Sequence, residues 1–407
     1  MKKNLLIILQ SIPYPLNTGG RQAVFNSIDA IKDDFNIYIT CYNDDNQESI
    51  KALNKAWPDI NIMPYIEDRK RASKYYVIKK GLMLLCRRVF KNGLQVIDYL
   101  IEQRYNHYNP QYYEYINQLI KRYSIDIVQC EFMTNLSLVY ALPIDVKKVF
   151  VHHEIEYVRN EQLFRSLQVN ELYKRYVMEM LKDNEIRALS KFDAVITLSR
   201  TDTEKLLSDG VMTKVYSSFS MVKTEETMCK IEKFEYRLSF VGPETHLPNK
   251  KGLEWFLGEV WPLLLSNSGQ WSLTIIGNWS KETVASWESK YKNVRFAGFV
   301  ENLRDALSST IMIVPIHIGS GIRMKLLEAA NIGIPFVSTT VGAEGLPFKA
   351  GEDCFIADSS DDFAKSLFRL SDINLQRKFV ASAYNTINSQ FSKEKLRESR
   401  MIAYNSL

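Results

Sequence analysis

Apolar residues in this chain fall into short continuous runs, and between the runs they recur at helical spacing. Leu5 to Leu9 is a run of strand length. The turn-rich loop Ser11-Ile12-Pro13-Tyr14-Pro15-Leu16-Asn17-Thr18-Gly19-Gly20 follows it, then Val24, Ile28 and Ile31 at helical spacing, then a second strand-like stretch, Phe35 to Thr40. This order predicts a βαβ unit. Runs at Ile125 to Gln129, Lys148 to Val151 and Ala194 to Leu198 predict further buried strands, and the breaker-poor stretch from Ile155 to Ser190 predicts one or two long helices. From about Ser220 to Tyr236 the pattern becomes polar and aperiodic, and then the alternation restarts. Strands are expected at Leu238 to Val241, Leu273 to Ile276, Val294 to Phe296, Ile311 to Val314 and Pro335 to Ser338. The helices between them run through Trp255, Phe256, Val260 and Leu264, near Val284, near Leu303, and over Ile322 to Asn331. Strands apolar along their whole length, alternating with helices, predict parallel sheets covered on both faces.

The 407 residues exceed what one compact core holds, so two domains are expected. Residues 1–219 form the first, 220–236 a linker and 237–391 the second. The mostly helical end from Asp361 to Leu407 includes a helix at about 392–407 that can pack back on the first domain. The fold class is α/β, with two Rossmann-like, doubly wound domains. That architecture gathers the carboxyl ends of its strands, and any ligand, at a cleft between the domains.

Composition narrows the functional classes. Hydrophobic residues at 46% and charged residues at 24% exclude a disordered or collagenous chain. A net charge of +5 is too small over this length to predict nucleic-acid binding. The five cysteines, Cys41, Cys86, Cys130, Cys229 and Cys354, are far apart and form no C-x-x-C pair, which suits free thiols in a reducing, cytoplasmic setting. No apolar run approaches the ~20 residues needed to span a bilayer. Met1-Lys2-Lys3 before Leu5 to Leu9 reads as the approach to a first strand, since the run breaks at Gln10 without a small-residue cleavage site. One local cluster stands out: Arg69 to Lys91 holds nine basic residues, no acidic one, and interleaved tyrosines, leucines and a phenylalanine. It suits either a peripheral contact with a membrane surface or a solvated helix.

The densest candidate chemistry lies in Ile311 to Leu346. A buried strand ends at Pro315, Gly319-Ser320-Gly321 makes a tight loop, a helix is expected to start there, and Gly333 and Pro335 stop it. Amides at a helix start, approached through glycines, form an anion site. Arg323 and Lys325 place two cations in the expected first turn, where they oppose the helix dipole unless a diphosphate balances them. Glu328 lies one turn beyond Lys325, where a carboxylate can accept hydrogen bonds from vicinal ribose hydroxyls. The same spacing also suits a plain surface helix with a Lys–Glu pair. Gly19-Gly20-Arg21, like Gly319-Ser320-Gly321, lacks the third glycine of a dinucleotide fingerprint. No D-x-D, H-E-x-x-H or Cys/His ligand spacing occurs, so no metal or cofactor is expected.

The Ile311 to Leu346 segment resembles the donor-site motif of retaining glycosyltransferases of the GT-B fold, family GT4, in the form G-S-G-x-R-x-K-x-L-E-A followed by G-x-P-x-V-S-T and G-A-E-G-L. Phe240-Val241-Gly242 through Pro248-Asn249 to Val260-Trp261-Pro262, Leu273 to Gly277, Val294 to Val300, and Ala357-Asp358 to Phe363-Ala364 are similar to the same family. In the first half the likeness rests on Pro13-Tyr14-Pro15 with Gly19-Gly20-Arg21, on His152-His153-Glu154-Ile155-Glu156, and on Phe192-Asp193 to Ser199.

The resemblance implies a nucleotide-diphosphate sugar as donor substrate. Gly319, Ser320, Gly321, Arg323, Lys325 and Glu328 would hold it, with Gly19 and Gly20 facing its phosphate or sugar. It also implies His153 as the active-site histidine, with Glu131, Glu154 and Glu156 as nearby candidates. Two departures stand beside it. Ser320 occupies the position of the family's first glutamate, which leaves the sugar open. Lys250-Lys251-Gly252 follows an unusually long loop, which leaves open which lysine reaches phosphate. The function implied is metal-independent retaining transfer to a glycan or lipid-linked acceptor in surface polysaccharide synthesis. A non-hydrolysing nucleotide-sugar epimerase and a degenerate sugar-nucleotide-binding partner subunit are the competing readings.

Overall fold

The computed structural model describes residues 2–67, 110–165, 169–222 and 227–407. The basic stretch 69–91, with Cys86 and His107, lies outside the described residues. The chain divides into two compact units, one running to Phe219 and including Arg397–Leu407, the other Ser220–Leu396.

The first unit is built on a parallel sheet of β1 (Lys3–Leu9), β2 (Phe35–Cys41), β3 (Asn61–Ile62), β4 (Ile127–Glu131), β5 (Lys147–His152), β6 (Ala194–Thr197) and β7 (Lys214–Ser217). Its order is β3-β2-β1-β4-β5-β6-β7, doubly wound with the reversal between β1 and β4. Leu5 pairs with Ile37 on one side and Ile127 on the other. Leu5, Leu6, Ile7 and Ile8 are completely buried, as a central strand covered on both faces requires. The helical stretch expected from Ile155 to Ser190 is two helices, Glu156–Arg165 and Glu171–Leu189. Asn170 caps the second by accepting from the amides of Leu172 and Tyr173.

The last helix, Lys393–Asn405, brings the chain end onto this unit. Arg397 grips the Asp34 carboxylate through Nε and Nη2. Buried Arg400 donates to Ser27 Oγ at 2.9 Å, and the Tyr404 ring meets Phe35 edge-on with centroids 5.1 Å apart.

The second unit repeats the plan with β8 (Arg237–Val241), β9 (Ser272–Ile276), β10 (Val294–Gly298), β11 (Ile311–Val314), β12 (Phe336–Ser338) and β13 (Phe355–Ile356). The order β10-β9-β8-β11-β12-β13 again reverses once, between β8 and β11. The expected helix around Trp255 to Leu264 is a continuous rod with one wider turn. It runs Leu247–Trp255, then a π-helical turn at Phe256–Val260, then Trp261–Asn267. Leu253, Phe256, Leu257 and Leu264 are buried along it. Gly252 lets the rod approach the sheet, because a Cβ there would lie 2.3 Å from Pro315 O.

Among the described residues, no helix is long and apolar enough to cross a membrane.

Candidate active site

In a doubly wound sheet the crevice beyond the strand ends opens where the order reverses. Each unit places its chemistry-bearing residues there.

In the second unit the site follows β8 and β11. The helix after β11 starts at Met324, so Arg323 is its N-cap residue and not, as the sequence pattern suggested, part of the first turn. The displacement has a local cause. Gly319 and Gly321 adopt φ of 115° and 75°, and the loop curls so that Arg323 Nη1 donates back to the carbonyls of Ser320 and Gly321. A side chain at Gly319 would be doubly excluded, since its Cβ would lie 2.8 Å from Arg323 Nη2. Arg323 is therefore buried and braces the loop from inside. Ser320, also buried, sits within that brace.

Lys325 is the cation of the first helical turn, which contains no acidic residue. Its Nζ donates to Asn249 Oδ1 at 2.8 Å and lies 4.4 Å from the centroid of the Phe240 ring on β8. Burial pulls its pKa from 10.5 down to about 7; Arg323 adds repulsion, and Glu328 opposes the shift. Glu328 is half-buried one turn further along the helix.

Asn249 carries no expectation of its own in the motif, yet it organises this corner. Its Nδ2 donates to Pro243 O at 3.0 Å, which turns Oδ1 toward Lys325. Gly242, at φ 152°, makes room, because a Cβ there would meet Asn249 Nδ2 at 2.4 Å. The two lysines of Lys250-Lys251-Gly252 each hold a carboxylate: Lys250 pairs with Glu244 at 2.8 Å and Lys251 with Glu254 at 2.9 Å. Burial would raise the Glu244 pKa, but donation from Lys250, Ser280 and Thr283 outweighs it and holds the carboxyl at about 2. In the loop itself, His317 packs against the Trp255 edge at 4.3 Å, and burial lowers its pKa.

In the first unit the site follows β1, β4 and β5. Thr18 caps the helix Gly19–Ile31 by accepting from the Arg21 amide. His152 and His153 are separated by the alternation of strand side chains. His152, the last residue of β5, points inward and meets Glu185 at 2.9 Å with both side chains buried. His153, 12% exposed, meets Glu131 at the end of β4 at 2.5 Å. Phe132, at φ 65°, directs its ring flat onto the His153 imidazole, with centroids 3.9 Å apart and planes 12° apart. Gly20 also approaches this ring, where a Cβ would touch Phe132 at 3.4 Å. The structure thus gathers Gly20, Phe132, His153 and Glu131, of which Phe132 carried no sequence signal. Glu154 and Glu156 turn to Arg159, at 2.7 and 3.2 Å.

Two open parallel sheets, each with polar and charged residues at its reversal point, follow the plan of the GT-B fold. Known proteins resemble it. Residues 235–372, within the second unit, match the family model for glycosyl transferases group 1. A 44.6 kDa protein in the cps region of Klebsiella pneumoniae is 24% identical over 96% of this chain and 97% of its own length. Among solved structures, TarM superimposes with a TM-score of 0.71 at 14% identity, covering 100% of this chain and 99% of its own. HepE of Anabaena, crystallised with UDP and glucose, does so at 0.66 and 10% identity, covering 100% of both chains.

Proposed function

We propose that this protein is a retaining glycosyltransferase that moves a sugar from a nucleotide-diphosphate donor to a glycan or lipid-linked acceptor in surface polysaccharide synthesis. The observation that carries this reading is the Met324–Ile332 helix start behind the Gly319–Gly321 loop. It offers backbone amides uncapped by a side chain, with Lys325 in the first turn and Glu328 one turn on, inside the region that matches the group 1 family. Negative charge developing on a leaving diphosphate would be stabilised there by Lys325, by the helix amides and by the Arg323-braced loop. Glu328 would accept hydrogen bonds from the ribose. On the acceptor side, His153 would orient the reacting hydroxyl by accepting its hydrogen bond as the acceptor docks, and the proton would pass to the leaving phosphate as the bond to the sugar forms. No protein nucleophile is then needed, and the anomeric configuration is kept. The cps-region relative and the UDP bound by HepE and by TarM of S. aureus favour a polysaccharide role and a uridine nucleotide.

Product analysis with UDP-, GDP- and ADP-sugars, each with and without a membrane extract, tests the proposal. A new glycoside of retained configuration, formed only with the extract, is expected. Interconversion of free nucleotide sugar without acceptor would replace the proposal with the epimerase reading, and nucleotide binding without turnover would replace it with the partner-subunit reading. The lipid-linked branch rests on the charge of the 69–91 stretch. Reversing Lys79, Lys80, Arg87 and Arg88 should release the protein from anionic liposomes, and equal sedimentation of both forms would leave a soluble acceptor.

A further inference from the structure

A buried chain of hydrogen bonds leads from the terminal helix to His153. Tyr404, on the helix Lys393–Asn405, donates its hydroxyl to Gln129 Oε1. Gln129, inside β4, donates Nε2 to Glu131 Oε1 at 2.6 Å. Glu131 Oε2 meets His153 Nε2 at 2.5 Å. Gln129, Glu131 and Tyr404 are each 1% exposed, so water cannot substitute for any of these partners. Each link constrains the next. The phenol has one proton, and burial keeps it on the oxygen by raising the Tyr404 pKa far above its ordinary value, with the neighbouring Arg400 guanidinium opposing. The Gln129 amide must therefore turn its oxygen to Tyr404 and its NH₂ to Glu131. Glu131 and His153 share one hydrogen bond, and with the carboxylate as its acceptor the imidazole nitrogen facing it carries the proton. Arg400, buried in the same unit, supplies the positive end of the chain.

We infer that Tyr404 and Gln129 are positioning residues for the active-site histidine: through Glu131 they hold His153 as the Nε2–H tautomer and leave Nδ1 for the substrate hydroxyl. Phe132, stacked on the ring, fixes its plane, while this chain fixes its rotation and tautomer. The last eleven residues, Arg397–Leu407, which the chain adds after completing the second unit, thereby become part of the first unit's site.

The inference rests on the reading of His153 as a substrate-contacting group, and the experiment separates the two. Histidine-selective ¹⁵N spectra, with the His153 signal assigned by its loss in His153→Gln, report the tautomer without any need for turnover. Wild type should show protonated Nε2 and bare Nδ1. Tyr404→Phe, which deletes one oxygen, and Gln129→Leu, of similar volume, should both move His153 toward a mixture of tautomers. In the same variants kcat should fall about tenfold while donor KM and nucleotide Kd stay within about twofold. Gln129→Glu should add an acid-favoured limb to the kcat profile, because the new carboxyl can donate to Glu131 only when protonated. Unchanged spectra and kcat in both Tyr404→Phe and Gln129→Leu would overturn the inference and leave the proposed function standing. Responsive spectra in a protein that transfers no sugar would do the reverse.

Discussion

Lys325 Nζ lies 2.8 Å from Asn249 Oδ1, and the Asn249 amide is locked in that direction by its own donation to Pro243 O. The pair joins the helix start after β11 to the first turn of the helix Leu247–Trp255 after β8, so the cation proposed to meet a diphosphate is aimed by a residue from a different helix. Asn249→Asp should pair Lys325 with a carboxylate and oppose an incoming phosphate. We expect nucleotide affinity to fall about tenfold or more, read by calorimetry, with the fold intact. Asn249→Leu leaves two polar partners unmet at a buried position and should cost about 1–3 kcal/mol in urea unfolding. Affinity unchanged in Asn249→Asp would mean that Lys325 is aimed by something else.

The depressed Lys325 pKa makes a signed prediction. The folded chain releases this proton near pH 7, whereas the unfolded chain holds it to the ordinary lysine value of 10.5. Between those limits the unfolded state binds more protons, so this group's penalty on stability is full below about pH 7 and is relieved as pH rises toward 10.5. Nucleotide binding has the opposite dependence, because a diphosphate favours the ammonium. Binding should take up a proton above pH 7, and affinity should fall as pH increases. Calorimetry in buffers of differing ionisation enthalpy at about pH 8 reads the uptake directly, and Lys325→Met should abolish it.

The legibility of this molecule in its sequence follows burial and contiguity. β1, β8 and β11 were readable as strands because both faces are covered and the apolar runs are unbroken. β3, β7 and β13 were not expected. They are short edge strands, and Lys214–Ser217 has exposed ends and half-buried centres, so no apolar run marks it. β4 was expected from Ile125, but the turn at Ser124, with φ 46°, holds Ile125 in the preceding helix end through its bond to Ile120 O, and the strand starts at Ile127. At the candidate site, Gly319 to Glu328 could be read as a group because those residues are neighbours in sequence. Asn249, Phe132, Gln129 and Tyr404 could not be grouped, since only the sheet order and the returning terminal helix bring them to their partners. Arg323 stands one position outside the helix that the spacing predicts for it, because periodicity does not reveal a side chain that turns back on its own loop.

Metal independence is testable without knowing the acceptor. Among the described residues, no three His, Cys, Asp or Glu side chains gather into a group that could hold a metal ion, while Lys325 and the Arg323-braced loop stand where the diphosphate is proposed to bind. Sugar transfer should therefore survive excess EDTA. Loss of turnover in chelator, restored by Mg²⁺ or Mn²⁺, would show that the cationic helix start does not suffice to stabilise the leaving group.

The other histidine of the pair separates support from chemistry. Glu185 is completely buried and accepts from three groups: His152 Nε2 at 2.9 Å and the amides of Glu156 and Tyr157 at 3.2 Å each. Those amides open the helix Glu156–Arg165, whose first N–H groups have no partner within the helix. One carboxylate on the helix Glu171–Leu189 therefore ties the end of β5 to the start of the helix Glu156–Arg165 and satisfies donors that would otherwise be stranded. Glu185→Ala should cost about 3–5 kcal/mol in urea unfolding, the scale for removing one member of a buried ionic cluster. Glu185→Gln keeps one acceptor oxygen and should cost about half of that. Both changes lie in the first unit, whereas the proposed nucleotide site lies in the second, so nucleotide Kd measured on the folded protein should not move. A cost below about 1 kcal/mol for Glu185→Ala would show that the cluster relaxes without its carboxylate. A lost nucleotide affinity would mean that the effect of Glu185 extends beyond the first unit.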